Sequence, residues 1–362
     1  MKRIVFTVTN DLCYDQRMER ICSALAENGY DVCLIGRADK NSNALDKRSY
    51  EQQRIICSFE KGKLFYIEYN FKLLWKLLFT KTDIICSIDL DSILPGYLAS
   101  LLRGKTIVYD AHEYFTEMEE VVSRPIIKML WLNLEKFVLK RVKYAYTISD
   151  GYAQLFRKNY GKKFSVIRNV PRINPLIQNN QARKKVVQYQ GILNIGRGLE
   201  EAIKAVSSLD DFELHIYGDG PQSDFLKQLA RNQNAGSKVQ FMGMVSPEVL
   251  KEKTPLAWVG LTLFSSKGLH HQHSLANRFF DYFHAGIPQI AVGYSEYKSF
   301  NENNEVALLI PEMTAMAVRV SLLNLERDTE LYNRLQHNCQ KAAEANNWQE
   351  ESKKLLAFYE NL

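Results

Sequence analysis

The stretch HSLANRFFDYFHAGIP, residues 273–288, decides how the whole chain is read. Ser274 stands where a helix cap is expected, Asp281 falls inside the helix, and Gly286 with Pro288 ends it before a strand. A helix start of this kind aims unpaired backbone N–H groups at an anion. Asn277 and Asp281 are four residues apart and share a face. A carboxylate on that face suits a pair of ribose hydroxyls, and Arg278 adds positive charge for a diphosphate. The alternative is a plain surface helix with solvated charges.

Outward from this stretch the chain alternates short apolar runs with amphipathic segments, the pattern of parallel strands joined by crossover helices. Toward the C-terminus, strands are expected at 186–190, 212–217, 238–242, 257–264, 288–292 and 306–310. In the first half they are expected at 3–9, 31–37, 63–69, 83–89, 106–112, 144–149 and 164–169, with helices opening near Asp15, Asp91, Arg124 and Asp150. Between the two series residues 171–184 are polar, proline-bearing and without period, so they are read as a linker. The expected fold class is therefore α/β, two Rossmann-like doubly wound domains at 1–170 and 185–343. A final helix at 344–362 carries Trp348, Leu355 and Phe358 on an apolar face and is expected to pack back on the first domain. Ligands of such sheets bind at the carboxyl ends of the strands.

The totals agree with two cores, since 362 residues exceed what one interior usually serves. The net charge is +6, but residues 1–180 hold 28 Lys/Arg against 20 Asp/Glu, so the first half carries the basic face. Six scattered cysteines form no Cys-x-x-Cys pair, which fits a reduced compartment and argues against zinc. No apolar run approaches the roughly 18–20 residues that span a bilayer, and Met1–Arg3 leads into a strand rather than a signal peptide. A cytoplasmic location is expected.

Around the first strand of the second series, GILNIGRG (191–198) spaces Gly191 and Gly196 as a Walker loop does, yet Arg197 and Gly198 replace its Lys and Ser/Thr. Nucleoside-triphosphate hydrolysis is thereby disfavoured, and Arg197 reads as a diphosphate clamp, the alternative being a glycine turn with a surface arginine. Asp89-Leu90-Asp91 spells an Asp-x-Asp metal motif, but Asp91 suits a helix cap, and no metal is expected.

These elements resemble the retaining glycosyltransferases of family 4, which have the GT-B fold of two Rossmann-like domains facing across a cleft. The resemblance spans nearly the whole chain. Asp281 falls on the second glutamate of the family's Glu-x7-Glu element, His273 stands in place of the first, and Ala285-Gly286-Ile287-Pro288 matches the ending. Ala276-Asn277-Arg278-Phe279-Phe280-Asp281 is similar to a Pro-Asn-Lys-x-Phe-Glu version of the same helix, and Gly191 opens the family's phosphate loop, with Ile192 at its arginine position and Arg197 at its lysine position. Gly218-Asp219-Gly220-Pro221 matches a turn, and Gly243-Met244 the segment beside the base.

The resemblance implies a donor site of Gly191, Arg197, Gly243, Met244 and the run His273, Ser274, Leu275, Ala276, Asn277, Arg278 and Asp281. It implies catalytic roles for His112, Arg197 and Asp281, and an acceptor side of Asn10, Asp11, Asp15, Arg17, Asp110, His112 and Glu113. The implied reaction moves a sugar from a nucleotide sugar, UDP-sugar first, to a saccharide or lipid-linked acceptor with retention and without a metal, in bacterial surface polysaccharide or glycan assembly. His273 and Ile192 leave open a weakened sugar-nucleotide-binding subunit, and the shared architecture a nucleotide-sugar 2-epimerase. Lysines mixed with Trp75 and Trp131 at 71–80 and 126–146 suit peripheral contact with an anionic membrane on its inner face as well as they suit core-facing helices. No nucleic-acid partner is expected.

Overall fold

The computed structural model describes residues 1–13, 15–38, 42–173, 185–266 and 269–362. They form two compact units, Met1–Asn169 with Glu350–Leu362, and Val170–Gln349.

The first unit runs β1 (Arg3–Asp11), α1 (Gln16–Glu27), β2 (Asp31–Ala38), β3 (Glu51–Ile56), α2 (Gly62–Phe79), β4 (Ile84–Ile88) and α3 (Asp89–Arg103). It continues through β5 (Thr106–Ala111), a 3-10 turn (Phe115–Glu117), α4 (Glu119–Val122), α5 (Pro125–Leu139), β6 (Tyr144–Thr147), α6 (Asp150–Tyr160) and β7 (Ser165–Val166). Its sheet is wholly parallel in the order β3-β2-β1-β4-β5-β6-β7, with Val5 opposite Cys33 on one side and Ile85 on the other. The chain therefore winds outward in both directions from β1 and β4. That switch point opens a crevice at the strand ends.

The second unit runs β8 (Val186–Gln190), α7 (Leu199–Ser207), β9 (Glu213–Tyr217), α8 (Ser223–Asn232), β10 (Val239–Gly243), α9 (Pro247–Lys253) and β11 (Val259–Thr262). Then follow α10 (Asn277–His284), β12 (Gln289–Val292), α11 (Ser295–Asn304), β13 (Ala307–Ile310), α12 (Ala315–Arg327) and α13 (Thr329–Ala345). The parallel order is β10-β9-β8-β11-β12-β13, so its switch point lies between β8 and β11. Helix α14 (Trp348–Glu360) starts in this unit and ends in the first, where Tyr359 is fully buried between Phe6 and Tyr146 and Glu351 accepts from the Arg168 backbone N–H at 2.9 Å.

Three elements differ from expectation. Residues 63–69 are helical; α2 is apolar on two opposite sides, and a short window of such a helix shows no period that separates it from a buried strand. Strand β3 reads EQQRII and escapes notice because it is an edge strand whose first four residues are polar. Helix α3 opens at Asp89, so Asp91 is not its cap but a buried first-turn carboxylate accepting from Thr9 Oγ1 at 2.6 Å. The expected linker lies outside the described residues from position 174 onward.

Candidate functional site

In the second unit, the loops that leave β8 and β11 meet at the switch point. Strand β8 ends at Gln190, and the loop that follows packs against the next one: Gly191 N–H donates to the Tyr217 carbonyl at 2.9 Å and Leu193 N–H to Asp219 at 3.0 Å. A Cβ on Gly218, where φ is +137°, would lie 2.0 Å from the Gly191 carbonyl oxygen, so the close approach of the two loops requires glycine there. The glycine turn thus shapes the floor of the site. Gly198, also left-handed at φ +69°, occupies the cap position of α7 and ends the loop that carries Arg197.

Phe264 is the centre of the cluster. Just past β11 and buried, its ring has the Arg197 guanidinium at 5.0 Å, the Arg278 guanidinium at 4.7 Å and the His271 ring stacked at 4.1 Å. Arg278 also lies 4.4 Å over the Tyr189 ring and is only 8% exposed, yet its buried Nη1 has no hydrogen-bond partner. A guanidinium held against two rings with an unmatched donor is an incomplete arrangement, since a buried charge is costly until it is paired. Burial, His270 and the two arginines push His271 down to about 2, so it is neutral. Because a guanidinium can only donate, the His271 Nε2 at 3.2 Å accepts from Arg197 Nη1, which fixes the tautomer with the proton on Nδ1 and orients Arg197. Burial and Arg197 likewise push His270 down to about 4, and burial lowers His273.

Asp281 lies one turn along α10. Its Oδ2 accepts from Gln190 Nε2 at 2.9 Å, and Gln190 Oε1 in turn accepts from Gln188 at 3.0 Å and Thr254 at 3.1 Å. This buried amide chain sets the carboxylate's direction. Asn277 is exposed at the start of the helix. Ser274 departs from its expected role: α10 begins three residues later with Ala276 at the cap position, and Ser274 Oγ is turned back to donate to the His270 carbonyl at 2.9 Å. Leu275 is buried, and the Ala276 N–H donates to the Tyr297 hydroxyl at 3.2 Å, so this turn is built into the fold. Gly243, left-handed at φ +71°, accepts from Gly218 N–H at 2.8 Å, and Met244 beside it is exposed.

In the first unit the strand ends bring together a second group. Asp89, with φ +55°, accepts from the Glu113 N–H at 2.9 Å and lies 4.0 Å from His112 Nδ1. Burial, with Glu113 and Asp91 adding negative charge, pushes Asp89 well above the usual carboxylate range, and burial raises Asp91 to about 6. His112 and Glu113 are half-buried at the end of β5. Asp15 caps α1 by accepting from Met18 N–H at 3.0 Å, and Asn10 donates to it at 3.2 Å. Asp11 is held by Arg54 at 2.8 Å and by the hydroxyl of Ser42. Arg17 and Asp110 do not face an open surface: they are 3% and 0% exposed and pair with each other at 2.9 and 3.1 Å, which ties α1 to β5.

The sequence motifs do not include His271, Phe264 or Gln190, and Asp89 figures in them only as part of a discounted metal motif. Of the histidines at 270, 271 and 273 only the last aligns with a known element, and Phe264 reads as the end of an apolar strand.

Two parallel sheets with strand-end sites at their switch points define a GT-B transferase architecture. Residues 16–170 match the family model described as Glycosyltransferase Family 4, and residues 174–342 the model described as Glycosyl transferases group 1. Among solved structures, the fold is similar to sucrose-phosphate synthase from Thermosynechococcus elongatus, with a TM-score of 0.83 and 16% identity over 100% of this chain and 99% of that one. It is similar to HepE from Anabaena in complex with UDP and glucose, with a TM-score of 0.82 and 14% identity over 100% of both chains. A third likeness is to WaaG, a glycosyltransferase involved in lipopolysaccharide biosynthesis, with a TM-score of 0.70 and 16% identity over 97% of this chain and 98% of that one. No curated protein sequence matches the chain. The chain belongs to the family 4 glycosyltransferases.

Proposed function

We propose that this glycosyltransferase takes its sugar from a nucleoside-diphosphate sugar, UDP-sugar first, with the diphosphate received by Arg197 and Arg278. The observation that carries the reading is the pair of guanidiniums sharing the Phe264 ring, one of them with a buried and unmatched Nη1. Negative charge grows on the diphosphate as the bond to the anomeric carbon breaks, and preoriented guanidinium donors offset it without a metal. Neutral His271 holds Arg197 in place, and Asp281, directed by Gln190, faces the ribose hydroxyls. His112, supported by Asp89, serves the acceptor side with Glu113, and Asn10 borders it. The transfer is to a saccharide or lipid-linked acceptor with retention, at the inner face of a bacterial membrane in surface glycan assembly.

Similarity to a structure complexed with UDP and glucose supports the choice of uridine diphosphate. The test is a melting series with UDP, GDP and ADP, followed by release of nucleoside diphosphate from the preferred nucleotide sugar. UDP is expected to raise the melting temperature in the parent and not in Arg197→Ala. No shift with any nucleoside diphosphate refutes the reading. Because His273 stands where the family has a carboxylate, a binding subunit is the second reading; it predicts the melting shift without turnover against any acceptor.

A further inference from the structure

We infer that the α2, α3 and α5 face of the first unit is a docking surface for an anionic lipid bilayer. Helix α2 is apolar on two opposite sides. Phe65, Tyr69, Leu73 and Leu77, spaced by four, are buried against the sheet. Turned the other way, Leu64, Ile67, Phe71, Trp75 and Phe79 form a second stripe along the helix, with Phe71 69% and Trp75 62% exposed. A single exposed apolar side chain means nothing, but a full-length stripe opposite the core-facing one needs a partner.

The stripe does not end at α2. Tyr66 meets Trp131 of α5 edge to face at 6.2 Å, and α5 presents Ile126, Met129, Leu130 and Phe137 at helical spacing, the first 72% exposed. Tyr97 of α3 meets Phe137 at 5.7 Å, and α3 adds exposed Leu101 and Leu102. Three neighbouring helices therefore join into one apolar surface.

Its charge selects the occupant. Residues 61–81 hold five lysines and one carboxylate, Glu68, which pairs with Lys72 at 2.7 Å. Residues 122–143 hold six Lys/Arg and one carboxylate, Glu135, which is fully buried. Lys128 also pairs with Glu117 at 2.6 Å, but cations still outnumber carboxylates along both helices, and aromatic and aliphatic side chains flanked by such an excess match the acyl boundary and phosphates of an anionic leaflet. A second copy would set like charges against each other, and a nucleic acid would leave the apolar stripe wet. The same surface borders the strand-end group: Trp131 packs on Phe115 at 4.9 Å, two residues past Glu113. A lipid-linked acceptor, which rests on the function proposed above, would thus meet His112 from the membrane plane. The docking itself needs no donor or acceptor.

The test is flotation of the full chain with vesicles of phosphatidylcholine alone or mixed with phosphatidylglycerol. Binding to the mixed vesicles only, weakened by salt, is expected. Phe71→Ser/Trp75→Ser should abolish it, and Lys136→Glu/Lys140→Glu should weaken it by roughly five-fold or more per cation. Both variants should keep the parent's melting temperature and its UDP response, which separates failure of docking from failure of the transferase reading. Absence of vesicle binding, equal binding to neutral vesicles, parent-like binding by the apolar variant, or a dimer dissociated by Trp75→Ser would each overturn the inference.

Discussion

Replacing Arg278 by methionine separates a ligand-directed cation from a structural one. Methionine keeps the unbranched stem between Tyr189 and Phe264 and removes the guanidinium. Without nucleotide two effects oppose each other. The two ring contacts contribute about 0.5–2 kcal/mol each, while the unmatched Nη1 costs about 1–3 kcal/mol. The melting temperature of the free protein should therefore stay within about 3 °C of the parent, at roughly 2–4 °C per kcal/mol for a unit of this size. Binding should respond differently, because a charge-assisted hydrogen bond contributes about 1.5–3 kcal/mol. Its loss weakens UDP roughly 10- to 150-fold. At a nucleotide concentration about 100 times the parent Kd, UDP stabilises the parent by about 2.7 kcal/mol and a 100-fold weaker variant by about 0.4 kcal/mol. Differential scanning fluorimetry should show a parent shift of roughly 5–10 °C fall below about 2 °C. A variant that keeps the full shift, or one that melts more than about 10 °C lower without ligand, refutes the assignment of Arg278 to the diphosphate.

Other perturbations read other parts of the argument. His271→Phe keeps the stack on Phe264 and removes the acceptor for Arg197, so calorimetry should report UDP binding weakened roughly 2- to 12-fold, from the about 0.5–1.5 kcal/mol of one hydrogen bond; parent-like affinity would deny His271 its positioning role. Glu135 is fully buried, with Oε1 unmatched and its carboxyl raised from 4.5 to about 7 by burial. The folded state then binds the extra proton, so this group's stabilisation is full below about pH 4.5 and is lost as pH rises through about 7. Glu135→Gln should remove that dependence, gaining on the order of 3 kcal/mol over the parent above neutral pH and little in acid, as read by urea melts across the range. A gain that is constant with pH would contradict it. Gly218→Ala sets a methyl 2.0 Å from the Gly191 oxygen at a left-handed φ and should cost more than about 2 kcal/mol and abolish the UDP shift; an unaffected variant would show that the two loops move apart at no cost.

What the sequence disclosed follows from which interactions are local. Central strands such as β4 and β12 are near-continuous apolar runs because both faces are covered, and 186–190 coincides with β8 to the residue. The same apolar density misled at 63–69, where a helix with two apolar faces reads like a buried strand. Asp281 and Arg197 stand out as candidates because each sits in a loop-helix pattern of fixed spacing. The partnership of Arg197 with His271, 74 positions apart, and of Asp281 with Gln190, 91 apart, depends on β8 and β11 being neighbours in the sheet, which no local window contains. Burial was equally hidden: nothing adjacent to Arg17 or Asp110 says that they pair with each other across 93 positions and lose access to solvent.

The position of Ile192 illustrates how a site can keep its electrostatics while changing its residues. By sequence it stands where similar chains carry a cation, and it is exposed. A loss of one of two diphosphate cations would argue for a weakened protein. The structure supplies another at almost the same place, because a Cβ on Gly191, the preceding residue, would lie 3.8 Å from the Arg278 Cζ. Arg278 reaches there from α10 over the Tyr189 ring, a reach that a fork-shaped guanidinium stacked on an aromatic face makes well and a lysine ammonium does not. Arg278 thus brings its charge to the β8 loop from the helix after β11, across the switch point, and with Arg197 it flanks Phe264. The double variant Ile192→Arg/Arg278→Met should therefore recover part of the UDP shift lost in Arg278→Met alone, since it returns the charge to the same crevice from the other side. Failure to recover any of it would mean that the Tyr189 and Phe264 stack, and not the charge alone, sets how the diphosphate is gripped.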